Sequence, residues 1–180
     1  MNTLSIEQRK RPIGDLPLAD DYSEDYIQEC IQYIKSYGTL IEGFYNEITE
    51  ADYKKEYRPG SWTIQELIHH IAESHMIHFT RIKLCLSVEH PSVNPFPENI
   101  WVDQSDVQDV DPYSSILILK GIHERLGHLL STIDSNKRKS TTLYNPEPDR
   151  NFNIEDLIVI NAWHGKHHLA QLNIAFKNPA

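Results

Sequence analysis

The sequence predicts an all-α protein, specifically a four-helix bundle with an N-terminal arm and a long loop between helices two and three. Four long segments carry apolar residues at helical spacing. No segment shows a convincing alternation of apolar and polar residues, which a half-buried strand would require. The length of 180 residues, with 39% hydrophobic and 24% charged residues, suits one globular domain over 1–180.

Each predicted helix has a recognisable start. The four predicted helices span about residues 23–48, 62–88, 113–133 and 153–176. Ser23 is a plausible N-cap for the first helix, in which Gly38 allows a bend. Thr63 and Glu66 fit a capping box at the start of the second. Pro112 precedes the third helix, and Glu155 and Asp156 occupy the first turn of the fourth, where they favour the helix dipole.

The remaining segments are predicted to be irregular. Residues 1–21 contain proline, glycine and charge without a period, so we expect an arm on the surface. Three prolines and five acidic residues in the segment 90–111 predict a long loop. Phe96 and Trp101 in that loop either fold back over an opening in the core or only anchor the loop. A break is expected over residues 135–149.

Composition excludes several classes of function. The 17 basic and 26 acidic residues give a net charge of −9, which lacks the basic footprint of a nucleic-acid binder. No apolar run is long enough to cross a membrane, and the N-terminus lacks the apolar region of a secretory signal, so we expect a cytoplasmic protein without a membrane partner. Cys30 and Cys85 build neither a disulfide framework nor a metal knuckle.

Histidines are concentrated in two windows that hold seven of the ten, at 69–78 and 164–168. His164 and His168 are offset by about 40° around a helix and about 6 Å along it, and both fall on the apolar arc. Such a pair either binds a divalent transition metal or forms two hydrogen-bonded core histidines. Gly165 stands where the H-E-x-x-H metalloprotease motif has its glutamate, which disfavours that chemistry.

A catalytic zinc needs a third protein ligand, and the second helix offers four histidines. His75 and His78 lie nearest the apolar arc of that helix, His70 lies at its edge, and His69 lies opposite. The periodicity alone does not choose His70, so the third ligand stays open on this evidence.

Several motifs in order resemble the DinB superfamily, and within it the YfiT-type group of metal-dependent hydrolases. The resemblance is carried by RPGSWTIQELIHHIAESHM (58–76) and AWHGKHHLA (162–170), with RPIG near residue 11, RIKL at 81–84 and the spacing of prolines, Phe96 and Trp101 in 91–101. It extends over nearly the whole chain. No single motif is decisive, but their order and spacing together are specific.

The resemblance implies a bundle in which His70, His164 and His168 bind one divalent metal ion per chain, with zinc first and nickel second. It also implies a homodimer. His75 would then line the pocket or, more commonly, pack in the core. The sequence departs from close relatives at Gln171, where histidine is frequent, and at Glu73, where aspartate is frequent. Gln171 is expected to weaken a hydrogen bond to a ligand, and Glu73 either orients a ligand or is a solvated carboxylate.

The expected function is a metal-dependent hydrolase that activates water for attack on a small-molecule substrate. No catalytic residue beyond this water is assigned, because no carboxylate has a spacing that demands a general base. One alternative is a metal-dependent S-transferase that acts with a low-molecular-weight thiol such as bacillithiol. The other is a non-catalytic metal-binding bundle.

Overall fold

The computed structural model describes residues 4–180 and confirms the four-helix bundle. The helices are α1 (Ile6–Lys10), α2 (Glu24–Glu47), α3 (Ile64–Cys85), α4 (Glu98–Trp101), α5 (Ser105–Asp109), α6 (Tyr113–Ser131), α7 (Ser135–Ser140) and α8 (Ile154–Lys177), with a 3-10 turn at Glu50–Asp52 and strands β1 (Thr142–Asn145) and β2 (Arg150–Asn153). The long helices α2, α3, α6 and α8 lie where the apolar periodicity places them. Among the described residues, no helix combines the length and apolar character needed to cross a bilayer.

Local hydrogen bonds fix where the long helices begin. The Ser23 side chain accepts from the backbone N–H of Tyr26 at the start of α2. At the start of α3, the Glu66 carboxylate accepts from the backbone N–H of Thr63 at 2.8 Å, which completes the predicted capping box. Asn153 and Asp156 form the equivalent box on α8. These caps satisfy backbone N–H groups that would otherwise have no partner.

The bundle core consists of two apolar clusters, one towards each end of the long helices. One cluster contains Ile31, Ile82, Leu126 and Ile158, from α2, α3, α6 and α8 respectively. The other contains Ile41, Ile68, Leu119 and Leu172, again one residue from each of these helices. Buried histidines of α3, α6 and α8 occupy the level between the two clusters. The fold therefore places a polar layer inside an otherwise apolar bundle.

Gly38 permits the close contact between α2 and α6, and α2 continues through it without a break. Helix α2 is continuous from Glu24 to Glu47. A Cβ atom at Gly38 would lie 2.9 Å from the Cα of Lys120 on α6, which is closer than real Cβ contacts come. The absence of a side chain lets the two backbones approach. Gly165 plays a similar part on α8, where a Cβ would meet the Tyr37 ring at 3.0 Å.

A two-stranded antiparallel hairpin occupies part of the segment that was expected only to break the helices. Strands β1 and β2 pair Leu143 with Phe152, and both of these side chains are buried. The expectation of no strand was wrong here because each strand has four residues and one fully buried side chain, too few to show a period of two. Helix α7 precedes the hairpin, and its Arg138 is buried against Glu155.

The long loop between α3 and α6 also contains structure that was not predicted. It includes the short helices α4 and α5. Four or five residues are too few to display helical periodicity, and the nearby prolines argue against a helix.

The N-terminal arm is held against the bundle, because the Arg9 guanidinium donates to the carbonyls of Tyr57 and Asn178 at 2.9 and 2.7 Å. Residues 1–3 of the predicted arm lie outside the described residues.

We expect Gly38→Ala to lower the free energy of unfolding by about 1–3 kcal/mol, because the added methyl group meets backbone atoms of α6 that cannot rotate away. The matched control is Gly43→Ala on the same helix, where a Cβ meets nothing within 4 Å. That variant should gain up to about 1 kcal/mol, since alanine is the better helix former. Urea unfolding followed by circular dichroism measures both, and equal effects at the two positions would contradict the close contact.

Candidate metal centre

Three histidine side chains from two helices converge at one point of the polar layer. His70 of α3 and His164 and His168 of α8 each offer a ligand nitrogen, and these nitrogens all lie within 4.8 Å of one another. The Nε2 atoms of His164 and His168 are 3.1 Å apart. The sequence indicated this pair by its i, i+4 spacing, whereas His70 was implied only by the family resemblance.

Aromatic residues explain how His70, at the edge of the apolar arc of α3, is nevertheless buried. The Trp62 ring centroid lies 4.5 Å from that of His70, and the Phe96 ring is parallel to the His70 ring at a centroid distance of 6.0 Å. Trp101 packs edge-on against Phe96. Of the two alternatives left open for these loop aromatics, the structure shows the one in which the loop folds back over the core.

The amide of Gln171 orients His168. His168 Nδ1 lies 2.8 Å from Gln171 Oε1, and Gln171 Nε2 donates to the backbone carbonyl of Lys10 at 3.0 Å. An amide oxygen only accepts, so the proton of a neutral His168 is on Nδ1 and the lone pair of Nε2 faces the cluster. The hydrogen bond that Gln171 was expected to weaken is present, and the N-terminal arm supplies the carbonyl that orients the amide.

His164 contacts a histidine at each of its ring nitrogens. Its Nδ1 lies 3.0 Å from Nε2 of His75, and its Nε2 faces Nε2 of His168. The Ser74 hydroxyl lies 3.3 Å from the same Nε2. A neutral imidazole has one N–H, so His164 donates either to His75 or towards His168, and not to both.

The cluster fits a divalent transition-metal ion. Burial lowers the pKa of His70 to about 4 and lowers the pKa of His164 and His168 well below the ordinary value, so these rings are neutral ligands. Among residues 4–180, no group forms a hydrogen bond with the buried Nδ1 of His70. Three imidazole nitrogens suit zinc or nickel, and three protein ligands leave a coordination position for water or substrate.

The other histidines of the two windows lie outside the cluster. His69 is buried, with Nδ1 2.8 Å from the Ser115 hydroxyl and Nε2 3.0 Å from the Val110 carbonyl. It lies opposite the apolar arc of α3, and the segment that follows α5 covers it. His167 stacks on Trp163 at 4.6 Å. His78 Nδ1 accepts from the Asn161 amide at 3.2 Å.

Sequence reasoning missed His123 of α6. It is 1% exposed, and its Nε2 lies 2.6 Å from Nδ1 of His75. His75 therefore joins the site through hydrogen bonds and is more than a core residue. A signal existed in the sequence, because His123 falls on the apolar arc of α6 between Leu119 and Leu126. It was isolated from the two histidine windows and so was not connected with them.

A cavity of about 350 Å³ adjoins the cluster on the His168 side. Its lining includes Trp62, Arg58, Lys10 and Glu98, so cationic and anionic side chains are both present. Glu73 makes no hydrogen bond to the three clustered histidines and lines a separate cavity of about 420 Å³. Partial burial raises the pKa of Glu73 to about 7, so it is not an ordinary solvated carboxylate.

The metal-free protein should lose stability as the pH falls from about 6.5 to about 4. Burial lowers the pKa of His70 and His123 to about 4, so between these values the unfolded chain binds protons that the folded chain does not. Each such ring lowers the free energy of unfolding by up to about 1.4 kcal/mol per pH unit. Urea unfolding in chelator at several pH values measures the slope.

Glu73→Gln provides the matched variant for this titration. The raised pKa of Glu73 makes the folded chain bind a proton that the unfolded chain has lost, which opposes the histidines between about pH 4.5 and 7. Removing that carboxyl should therefore make the loss of stability on acidification steeper. A flat profile in the unmodified protein would mean that the histidines are not buried in their neutral form.

Comparison with known proteins places the chain among relatives of the same length. Its sequence is 29% identical to "Putative metal-dependent hydrolase YfiT" of Bacillus subtilis over 161 residues, which covers 89% of this chain and 90% of the relative. It is 32% identical to "Putative metal-dependent hydrolase BH0277" of Halalkalibacterium halodurans over 165 residues, covering 91% and 94%.

A solved structure shows the same fold. The B. subtilis YfiT structure is described as that of "a probable metal-dependent hydrolase with an unusual four-helix bundle topology". It aligns with a TM-score of 0.88 and 28% identity, over 92% of this chain and 94% of that one. Residues 39–172 match the sequence profile of the DinB superfamily. The chain therefore belongs to the DinB superfamily.

Proposed function

We propose that this protein is a metal-dependent hydrolase in which His70, His164 and His168 hold one divalent metal ion. The observation that carries the proposal is the convergence of three neutral imidazoles, two buried and that of His164 partly exposed, with a cavity adjoining His168. The names of its relatives support the same reaction class. Catalytic zinc sites commonly use three protein ligands, whereas structural zinc sites use four.

The chain's own residues would bind, orient and shield the reacting groups. The histidines hold the ion, which when bound lowers the pKa of a coordinated water and polarises a substrate oxygen. Phe96 and Trp62 cover His70 and reduce its access to bulk water. Gln171 keeps the lone pair of His168 directed at the cluster. No described carboxylate hydrogen-bonds to the cluster, so we assign no general base.

The adjoining cavity is the proposed substrate site, and its volume of about 350 Å³ suits a small molecule. Lys10 and Arg58 on its wall could pair with a negatively charged substrate group, and Glu98 with a positively charged one. Zinc is proposed as the first metal and nickel as the second, because both accept imidazole ligands. Homodimer formation and a cytoplasmic location remain predictions from the sequence.

Metal content tests the ligand assignment. Purified protein should contain about one zinc or nickel ion per chain, and His70→Gln, His164→Ala and His168→Ala should each lose most of it, because two imidazoles do not hold the ion against dialysis. The matched controls are the sequence neighbours His69→Gln and His167→Gln, which lie outside the cluster. Elemental quantification after dialysis is the measurement, and unchanged content in the ligand variants would defeat the assignment.

Thiol dependence separates hydrolysis from thiol transfer. We expect the zinc-loaded protein to hydrolyse activated esters such as p-nitrophenyl acetate without added thiol, and His168→Ala to lose at least tenfold in rate. Turnover of 1-chloro-2,4-dinitrobenzene only with bacillithiol or glutathione would instead identify an S-transferase. A cobalt-substituted form with four protein ligands and no exchangeable water would identify a non-catalytic bundle.

A further inference from the structure

A line of hydrogen bonds crosses the polar layer of the bundle from α2 to the metal cluster. The backbone carbonyl of Ile34 lies 2.7 Å from Nδ1 of His123. Nε2 of His123 lies 2.6 Å from Nδ1 of His75, and Nε2 of His75 lies 3.0 Å from Nδ1 of His164. Both nitrogens of His123, both nitrogens of His75 and Nδ1 of His164 each have one partner in this line. Three helices thus contribute one imidazole each to a single continuous line.

The backbone carbonyl of Ile34 fixes the direction in which the N–H groups donate along the line. A carbonyl oxygen only accepts, so Nδ1 of His123 carries the proton. A neutral ring has one N–H, so Nε2 of His123 accepts and Nδ1 of His75 donates to it. By the same rule Nε2 of His75 accepts from Nδ1 of His164. The reverse order would place two lone pairs 2.7 Å apart, at His123 and Ile34.

The surroundings keep the two interior rings neutral. His75 is 0% exposed and His123 is 1% exposed. The Tyr37 ring packs against both, at 5.3 and 4.9 Å between centroids. Desolvation lowers the pKa of His123 to about 4, so an additional proton on the line is disfavoured near neutral pH. With neutral rings, only one arrangement of the three N–H groups satisfies all three hydrogen bonds between the Ile34 carbonyl and Nδ1 of His164.

We propose that His123 and His75 are positioning residues that fix His164 with its proton on Nδ1, so that the lone pair of Nε2 is presented to the metal ion. The choice left open at His164 is thereby settled in favour of donation to His75. Its Nε2 and that of His168 then face each other as two lone pairs 3.1 Å apart, with the Ser74 hydroxyl as a donor at 3.3 Å. A cation shared between them removes this repulsion.

The two proposed ligands of α8 are thus oriented in the same way, because each is linked by hydrogen bonds to a backbone carbonyl through one or two intervening side chains. His168 reaches the Lys10 carbonyl through one amide, and His164 reaches the Ile34 carbonyl through two imidazoles. Groups that hold the second nitrogen of a metal-binding histidine raise its basicity and fix its ring. The part of this inference that concerns metal affinity depends on the proposed metal site, whereas the tautomer assignment stands without it.

Nitrogen NMR of the metal-free protein tests the tautomers directly. Long-range ¹H–¹⁵N spectra of uniformly ¹⁵N-labelled protein at pH 7.5 distinguish a protonated Nδ1 from a protonated Nε2 in each ring. We expect His123, His75 and His164 all to carry the proton on Nδ1. A spectrum with the proton of His164 on Nε2, or with rapid exchange between its two tautomers, would overturn the proposal. This measurement needs no substitution and so cannot fail through misfolding.

Zinc affinity tests whether the line acts through His164. His123→Phe, which cannot accept from His75, should weaken zinc binding by about tenfold in a competition titration. His123→Gln should restore most of the affinity, because its amide oxygen can accept in place of Nε2. In a His164→Ala background, His123→Phe should not weaken zinc binding further. In a His168→Ala background, His123→Phe should still weaken zinc binding by about tenfold.

His69→Gln is the matched control, since it alters another buried histidine that has no contact with the line. It should leave zinc affinity unchanged. The positioning role would be overturned if His69→Gln and His123→Phe weakened zinc binding equally. It would also be overturned if His123→Phe still weakened zinc binding in the His164→Ala background. Wild-type protein that binds zinc no tighter than His164→Ala would refute the proposed metal site instead, and the NMR result would still decide the tautomers.

Discussion

Burial of several imidazoles at one level of the bundle is the constraint on which the rest of the structure depends. A polar group removed from water costs free energy unless a partner satisfies it. The two apolar clusters above and below offer the rings few polar partners. The histidines find their partners in one another, in polar side chains, in backbone carbonyls or in a bound cation. Helices α2, α3, α6 and α8 must therefore be aligned along the bundle so that these hydrogen-bonding groups meet at one level.

Close helix contact and the site are parts of the same packing. Tyr37 of α2 packs against the rings of His75 and His123 and also against the backbone of α8 at Gly165. A larger residue at Gly165 would displace that ring. The missing glutamate of the metalloprotease motif thus has a structural reason as well as a chemical one, because this position on α8 has no room for a side chain.

The sequence was informative wherever a pattern was long. Four helices could be predicted because each presents several turns of periodicity, and the caps of α2 and α3 because Ser23 and the Thr63–Glu66 pair have cap spacing. The pair on α8 could be predicted because one helical spacing sets its geometry. The hairpin and the helices α4 and α5 were missed because each is too short to show a period. His70 needed the family resemblance, since it is covered by Trp62 and Phe96, which lie outside helix α3 and are not part of its periodicity. His123 needed coordinates, because the periodicity of one helix does not report which side chains meet it from another.

The hydrogen bond between Gln171 and the Lys10 carbonyl joins the N-terminal arm to helix α8 beside His168, a proposed metal ligand. Thermodynamic linkage then works in both directions: ordering the arm favours the ring orientation that coordinates a cation, and coordination in turn protects the arm from opening. The N-terminal arm is therefore coupled, through one amide side chain, to the orientation of a proposed metal ligand.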